Sequence, residues 1–202
     1  TRPHYILQRI RKGWGEPFNA VRTPNDWYDF IDAKLLPSLM PSAWYNGVAI
    51  PEADRGWAGE NGQDDLRLIG AISIRQVRVQ PNTCPTTFQE EFQSVVPICF
   101  GEYTIRFQDV SGFGPVLDNG LERYLFSDQT ENGEDSFTGQ VNTYDGGGFR
   151  IVIPTDGSLE EARATVAQMK QDRWIDRQTR AVFVSFNLFS PANKYVTVVR
   201  FL

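Results

Sequence analysis

The chain has 202 residues, enough for one sizeable hydrophobic core, whereas two equal halves would each be marginally stable. Its formal net charge of -5 argues against a nucleic-acid partner, because phosphate backbones are bound mainly by clustered lysine and arginine. Aromatic side chains make up 13% of the residues, and such side chains usually fill a core or an interface. We therefore expect one domain that binds no nucleic acid.

The N-terminal residues 1–22 show weak periodicity and several breakers, which indicates an extended lead-in. The basic cluster of Arg9, Arg11 and Lys12 suits either a segment leaving an anionic membrane surface or a solvated chain end. No stretch approaches the roughly 18 apolar residues that a membrane-spanning helix needs. The chain lacks an initiator Met and stops inside the apolar run 195–202, so the sequence indicates a fragment of a longer protein.

A first helix is predicted to begin at Pro24. Thr23 supplies an N-cap hydroxyl, and Asp26 complements the exposed amides of the first turn. Behind this cap, the apolar residues that recur at helical spacing are Trp27, Phe30, Ile31 and Leu35. Pro37 and Pro41 are expected to end the helix.

A strand is predicted over residues 68–79. Its apolar positions change parity between Ile74 and Val77, and side chains on a strand alternate faces. The change predicts a bulge near Arg75 and Gln76, or a strand whose buried face switches.

The middle of the chain gives weaker signals. Residues 41–65 read as a long loop pinned by large aromatic side chains, namely Trp44, Tyr45 and Trp57. Residues 86–96 predict a short helix opened by a Thr86 and Gln89 capping box. The alternation of Tyr103, Ile105 and Phe107 is typical of a strand. The acidic segment 109–139 is expected to form a projecting loop or hairpin, anchored at residues 124–126.

The last third of the chain has the clearest pattern. Three glycines, in a tight turn, precede a strand at 149–153, and Ser158 and Glu161 form a capping box that opens a helix. The runs 182–188 and 195–202 predict an antiparallel hairpin. The fold class is therefore α+β, a mainly antiparallel sheet covered on one side by two or three helices, with a long acidic loop.

The sequence argues against catalysis. His4 is the one histidine, so a nucleophilic triad or a histidine zinc site lacks its parts. We expect no enzyme, no cofactor and no confident metal site. Cys84 and Cys99 are by themselves compatible with a disulfide bond or with two buried thiols. No N-x-S/T acceptor for an N-linked glycan is present.

Residues 128–133 resemble the start of a calcium loop, with oxygen ligands on alternate residues and Gly133 in sixth place. The twelfth place is Gly139, where a bidentate glutamate is required. The sequence leaves open weak calcium binding or a solvated acidic turn. The candidate ligands are Asp128, Glu131, Asn132, Glu134 and Asp135.

The run WIDRQTRAVFVSF at 174–186 resembles the signature of the polycystin family. Its motif residues are Trp174, Asp176, Arg177, Thr179 and Arg180. Upstream, IRQVRV at 74–79 is similar to a family strand, with Arg75 and Arg78 as motif residues and Cys84 at the family's interval. Within the motif, Asp176 is expected either to form a buried ion-pair network with Arg177 and Arg180 or to be a solvated surface pair.

The resemblance implies an extracellular or luminal polycystin domain at 23–202, after the lead-in 1–22. In the family this domain lies between the first two membrane helices of tetrameric cation channels of the transient-receptor-potential type, many of them in cilia. It also implies a Cys84–Cys99 disulfide, and a disulfide-stapled lobe at about 84–113 that meets a neighbouring subunit. The absent glycan acceptor beside Cys84 departs from many family members.

The resemblance implies an assembly and gating domain of a non-selective, calcium-permeable channel in the ciliary or plasma membrane. Its expected partners are neighbouring subunits of a homotetramer, and its membrane attachment would come from flanking helices. The alternative is an adhesion or tethering module that anchors an extracellular or ciliary matrix protein through the acidic segment 118–136.

Overall fold

The computed structural model describes residues 11–58, 66–85, 94–139 and 141–202. Its described lead-in is helical rather than extended, with a π-helical turn at Arg11–Gly15 followed by α1 (Glu16–Phe18). Trp14 is buried, its indole N–H donates to the Ser38 hydroxyl, and its ring meets Phe186 edge-on at 5.5 Å. Burial of this large side chain explains why the segment is ordered as a helix.

The predicted cap opens α2 (Pro24–Phe30). The Thr23 hydroxyl accepts a hydrogen bond from the Asp26 amide at 3.2 Å, and the Asp26 carboxylate accepts from the Thr23 amide at 2.9 Å. The helix does not end at Pro37, because the chain continues through a π-helical stretch, Ile31–Leu35, into α3 (Leu36–Leu39), but it does end before Pro41 as predicted. Proline has no amide hydrogen to donate within a helix, and a π-helical turn before it lets the backbone continue in spite of the missing hydrogen bond.

The remaining elements follow in chain order. The strands are β1 (Trp57–Ala58), β2 (Leu66–Arg78), β3 (Phe113–Val116), β4 (Glu122–Tyr124), β5 (Phe126–Ser127), β6 (Phe137–Thr138), β7 (Thr143–Tyr144), β8 (Gly148–Pro154), β9 (Thr179–Ser190) and β10 (Tyr195–Phe201). The later helices are α4 (Gln129–Asn132) and α5 (Leu159–Gln171). The main sheet has the order β10-β9-β2-β8-β5, with β1 also paired to β2. The predicted α+β class, a mainly antiparallel sheet with helices and a disulfide, is confirmed.

Strand β2 is central, with β9 on one side and β8 on the other. From Ile72 to Arg78 every side chain is buried, so both faces of the strand are covered. Burial on both faces accounts for the change of apolar parity without a switch of the buried face, and the bulge near Arg75 and Gln76 stays a prediction. A strand buried on both faces does not need to alternate apolar and polar residues.

Contacts divide the chain into two units. Unit 1 comprises residues 1–72, 152–171 and 185–201, and unit 2 comprises residues 73–151, 172–184 and 202. In unit 1, the Ser158 and Glu161 capping box opens α5 as predicted, and Ala162, Val166 and Met169 are buried. The predicted hairpin of the last two strands is confirmed.

Two local predictions fail. Residues 105–107 form a 3-10 turn instead of a strand, and Ile105 is 65% exposed. Tyr45 does not anchor the loop 41–65 as predicted, because 72% of its surface is exposed. The acidic segment contains the predicted hairpin, formed by β3 and β4 with Tyr124 buried at its base, and also the helical turn α4. The capping box at Thr86 and Gln89 lies outside the described residues, and residues 94–95 form a turn.

Candidate functional site

The loop between α5 and β9 carries the Trp174 motif, and the central strand holds it in unit 2. The Trp174 side chain is fully buried. The side-chain amide of Gln76 donates to the Trp174 carbonyl at 2.8 Å, and the Thr179 hydroxyl donates to the Gln76 amide oxygen at 2.8 Å. Because the Asp176 amide donates in turn to the Thr179 hydroxyl at 3.0 Å, the loop is fixed at three points.

Arg78 is the centre of a buried polar network. It is 2% exposed and binds both carboxylate oxygens of Asp176, at 3.1 and 3.0 Å. Its Nη2 also donates to the side chain of Gln178 at 2.8 Å, and its Nε lies 3.8 Å from the Asp109 carboxylate. The guanidinium lies 3.9 Å from the ring centroid of Phe113. A bidentate pair within such a network fixes orientation as well as charge.

The expected pairing of Asp176 with its neighbours in the motif is therefore corrected. Its cation is Arg78, which precedes it by 98 residues. Arg177 is exposed, and its guanidinium lies 5.4 Å from the Phe100 ring centroid. The planar fork of Arg78 matches the carboxylate geometry, whereas Arg177 and Arg180 have other contacts.

Arg180 joins the start of β9 to the segment that follows Cys99. Its Nε donates to the Gly101 carbonyl and its Nη2 to the Phe100 carbonyl, both at 2.9 Å. Its Nη1 donates to the carbonyls of Arg177 and Thr179, also at 2.9 Å. Burial lowers the pKa of Arg180, but a guanidinium stays protonated at neutral pH. Arg180 therefore satisfies four carbonyls as a structural cation.

The Cys84–Cys99 disulfide is present, with the two Cα atoms 6.0 Å apart. The Asn82 amide donates to the Cys99 carbonyl at 2.6 Å, and the Gly101 amide donates to the Thr83 hydroxyl at 2.9 Å. A Cβ on Gly101 would lie 2.5 Å from the Thr83 carbonyl oxygen, so this close approach requires glycine. Beside the disulfide is a groove of about 320 Å³ lined by Cys84, Val96, Cys99, Phe100, Arg177 and Arg180.

Arg75 holds the glycine-rich turn before β8. Its Nη1 donates to the carbonyls of Asp145 at 2.9 Å and Gly147 at 2.7 Å, and its guanidinium lies 4.2 Å from the ring centroid of Phe183. The side-chain amide of Asn132 donates to the carbonyl of Gly146 at 3.2 Å. Three consecutive carbonyls are thus bound by two side chains. A Cβ on Gly148 would lie 2.5 Å from the Gln76 carbonyl oxygen, so the glycines permit the predicted close packing.

Comparison with known proteins identifies the family of this chain. Residues 17–202 match the family model described as Polycystin domain. The chain belongs to the polycystin domain family. It is 31% identical over 190 residues to Polycystin-2 of Danio rerio, covering 93% of this chain and 20% of that protein. It is 32% identical over 186 residues to Polycystin-2 of Caenorhabditis elegans, covering 92% of this chain and 24% of that protein.

A human relative, Polycystin-2-like protein 1, is 27% identical over 186 residues, covering 92% of this chain and 22% of that protein. This polycystin domain therefore spans about a fifth to a quarter of the length of these relatives. Within residues 11–58, 66–85, 94–139 and 141–202, no helix is both long and apolar enough to cross a membrane.

The acidic segment of the polycystin domain uses its candidate calcium ligands locally. Asp128 caps α4 by accepting from the Glu131 amide at 2.9 Å, and the Glu131 carboxylate accepts from the Asp128 amide at 3.2 Å. Asn132 is buried. Glu134 and Asp135 follow the helix in an irregular stretch. In the described part of the chain, no three His, Cys, Asp or Glu side chains gather where they could hold a metal ion.

The network contains residues that sequence reasoning missed, namely Gln76, Asp109 and Gln178. Gln76 had a usable signal, since it is a polar residue inside an otherwise apolar strand, and a buried polar group must find a partner. Asp109 and Gln178 have no comparable signal, because each lies in an irregular segment. Polar side chains of the polycystin domain thus fix three segments: the Trp174 loop, the segment after Cys99 and the glycine-rich turn before β8.

Proposed function

We propose that this polycystin domain is the extracellular or luminal part of a channel subunit and serves assembly and gating. The channel is a tetrameric, calcium-permeable, non-selective cation channel of the ciliary or plasma membrane. The observation that carries the proposal is the family match over residues 17–202. Relatives named Polycystin-2 in two animals support it.

The polar scaffold of unit 2 suits a part that transmits force. Arg78 and Gln76 connect the central strand to the Trp174 loop, and Arg180 connects β9 to the disulfide segment. These bonds have fixed directions, so a displacement of the disulfide segment moves the strand with it. Such coupling is what a domain that biases a gate requires.

The disulfide segment also has exposed apolar side chains. Val95 is 77% exposed and Ile98 is 48% exposed, and Ile105 nearby in sequence is 65% exposed. Exposed apolar side chains of this kind favour contact with another protein. The proposed partner is a neighbouring subunit.

The decisive experiment uses the full-length protein in cultured cells. We expect cation currents in patch-clamp recordings and a tetramer by native sizing in detergent. An epitope inserted at the exposed turn of Asn46 and Gly47 should stain on intact cells, or only after internal membranes are opened. Staining after selective opening of the plasma membrane alone would place the domain in the cytosol and refute the proposal.

A matched variant addresses gating. Arg78→Met removes the centre of the network, and we expect a shift in the voltage or ligand dependence of the current. Arg177→Met, on the exposed side of the same motif, should leave that dependence unchanged. Equal effects of both variants would show that the network is not part of the gating pathway.

A further inference from the structure

A tight turn closes residues 44–48 in unit 1. The Gly47 amide donates to the Trp44 carbonyl at 2.8 Å, and the Trp44 amide donates to the Val48 carbonyl at 2.8 Å. The Val48 amide donates to the side-chain oxygen Oδ1 of Asn46 at 3.0 Å. Gly47 has a φ of 79°, a conformation that favours glycine. Asn46 and Gly47 are both exposed, so solvent reaches this Asn-Gly pair.

The same turn occurs at the tip of the β3–β4 hairpin in unit 2. The Gly120 amide donates to the Leu117 carbonyl at 2.9 Å, and the Leu117 amide donates to the Leu121 carbonyl at 2.8 Å. The Leu121 amide donates to Oδ1 of Asn119 at 3.0 Å, and Gly120 has a φ of 78°. Asn119 is exposed. The two turns thus agree in each of these hydrogen bonds and in their Asn-Gly sequence.

An asparagine followed by glycine can react with its own backbone. After losing its proton to water, the glycine nitrogen attacks the side-chain carbon Cγ of the asparagine. The bond from Cγ to the side-chain nitrogen then breaks, and that nitrogen takes up a proton from solvent and leaves as ammonia. The resulting succinimide ring adds a water molecule and opens to aspartate, or to isoaspartate, in which the chain continues through the side chain. Glycine favours the attack because it has no Cβ beside the nucleophilic nitrogen.

The geometry of both turns assists this attack. The hydrogen bond that Oδ1 accepts polarises the Cγ carbonyl, and it stabilises the negative charge that forms on Oδ1 when the nitrogen adds. A Cβ on Gly47 or Gly120 would meet nothing within 4 Å, so water has open access to the reacting atoms. The attack requires that the hydrogen bond of the glycine amide opens, and such opening costs little at an exposed tip.

A third Asn-Gly pair, Asn132 and Gly133, has the opposite environment. Asn132 is 6% exposed. Its side-chain nitrogen, the leaving group of the reaction, donates to the Ser127 carbonyl at 3.1 Å and to the Gly146 carbonyl at 3.2 Å. Rotation of the Asn132 side chain towards the Gly133 nitrogen would break both bonds in a buried position, which is costly. The fold therefore protects this pair. The pair at 61–62 lies outside the described residues.

We propose that Asn46 and Asn119 are sites of spontaneous deamidation, whereas Asn132 is not. Each conversion exchanges a neutral amide for a carboxylate, so the two tips gain negative charge as the molecule ages, and isoaspartate lengthens the backbone of the turn. At Asn119 the new charge directly follows Asp118 in the sequence. The inference does not depend on the proposed function, because it uses the geometry of the turns and water as the reactant.

Peptide mapping of the full-length protein tests the proposal. The purified protein is incubated in physiological buffer, sampled over time, digested and analysed by mass spectrometry. Trypsin places the three asparagines on separate peptides, 35–55, 107–123 and 124–150. We expect the mass gain of deamidation to accumulate several-fold faster at Asn46 and Asn119 than at Asn132. Digestion in heavy-oxygen water identifies any conversion that occurs during handling.

Two controls separate the effect of the fold from that of the sequence. In urea, where the turns are lost, all three Asn-Gly pairs should deamidate at similar rates, because the dipeptide alone then decides the rate. Asn46→Gln and Asn119→Gln should each remove the signal from their own peptide, since ring closure through the longer side chain is slower. A rate at Asn46 or Asn119 in the folded protein that does not exceed the rate at Asn132 overturns the proposal. Protection of Asn132 that persists in urea also overturns it.

Discussion

Both units contain aromatic contacts, but they differ in how deeply their ion pairs are buried. In unit 1, aromatic rings connect α1 to its surroundings, with Phe18 5.4 Å from Phe30 and 4.9 Å from Phe201. Its ion pair between Arg163 and Asp32 is at the surface, with 37% and 50% of those side chains exposed. In unit 2, by contrast, the 2% exposed Arg78 holds a polar network.

The difference determines how each unit tolerates change. Apolar contacts are non-directional, so unit 1 is expected to accept conservative substitutions with small losses. A buried polar network must be fully satisfied, and removing one member leaves the others without compensation. The predictions below probe this contrast, starting from the largest expected effect.

Trp174→Ala in unit 2 is expected to cause the largest loss of stability. Its side chain is fully buried, and truncation of such an aromatic side chain costs about 4 kcal/mol in the free energy of unfolding. Urea denaturation measures this loss. Tyr45→Ala, at a 72% exposed aromatic side chain in unit 1, should change the free energy by at most about 0.5 kcal/mol. Comparable losses would mean that the Trp174 loop is not part of a core.

Arg78→Met is expected to lower the free energy of unfolding by about 3 kcal/mol, since it leaves two carboxylates without their cation. Asp176 is 34% exposed, which moderates the loss. Adding Asp176→Asn and Asp109→Asn should recover part of the stability, because those variants remove the uncompensated charge. A triple variant less stable than Arg78→Met alone would contradict this explanation.

Arg180→Ala is expected to cost about 2 kcal/mol, because four carbonyls lose a charged donor. Arg180→Lys keeps the charge but lacks the planar fork, so it should recover only a part of the loss. Thermal unfolding of the three proteins gives the order. An unfolding midpoint for Arg180→Ala that matches the wild type would exclude a structural role for Arg180.

Glu161→Gln in unit 1 should have a small, pH-dependent effect. The hydrogen bond from the Ser158 amide lowers the pKa of Glu161 in the folded state. The stabilisation is therefore present above the unfolded pKa of about 4.3 and is lost as the pH falls through the folded value. We expect a melting temperature roughly 1–3 °C below wild type at pH 7 and no difference near pH 2. A difference that persists at pH 2 would indicate another cause.

Millimolar calcium should leave the melting temperature nearly unchanged. Asp128 and Glu131 already accept hydrogen bonds from backbone amides of the α4 cap, so binding a cation would disrupt that cap. Thermal unfolding with calcium and with magnesium gives the comparison. A rise of several degrees specific to calcium would show that the acidic segment binds the ion.

In unit 1, sequence patterns predicted where two helices begin but missed the helical lead-in and the continuation through Pro37. The caps at Thr23 and Ser158 and the apolar stripes behind them are local signals, since residues three or four apart share a helix face. The prediction that the helix ends at Pro37 was wrong because a π-helical stretch precedes this proline, and the sequence contains no pattern that indicates such a stretch.

In the candidate site, the motif identified the right residues but the wrong partners. Proximity in sequence favours Arg177 and Arg180 as partners of Asp176, in a buried network or in a solvated surface pair. Its partner Arg78 instead lies on β2, the strand that pairs with β9. Strand order and side-chain direction decide such pairs, and neither follows from spacing along the chain. The residues alone left open a disulfide or two buried thiols, and only the family resemblance predicted the Cys84–Cys99 bond.

Arg75 gives the glycine-rich turn a permanent internal cation. Carbonyl oxygens that converge in this way elsewhere bind metal ions or ordered water, whose occupancy varies with the surrounding solution. Here the guanidinium is covalently part of the neighbouring strand and cannot dissociate. The start of β8 is therefore held by a cation that belongs to the protein itself and is not exchanged with the surrounding fluid.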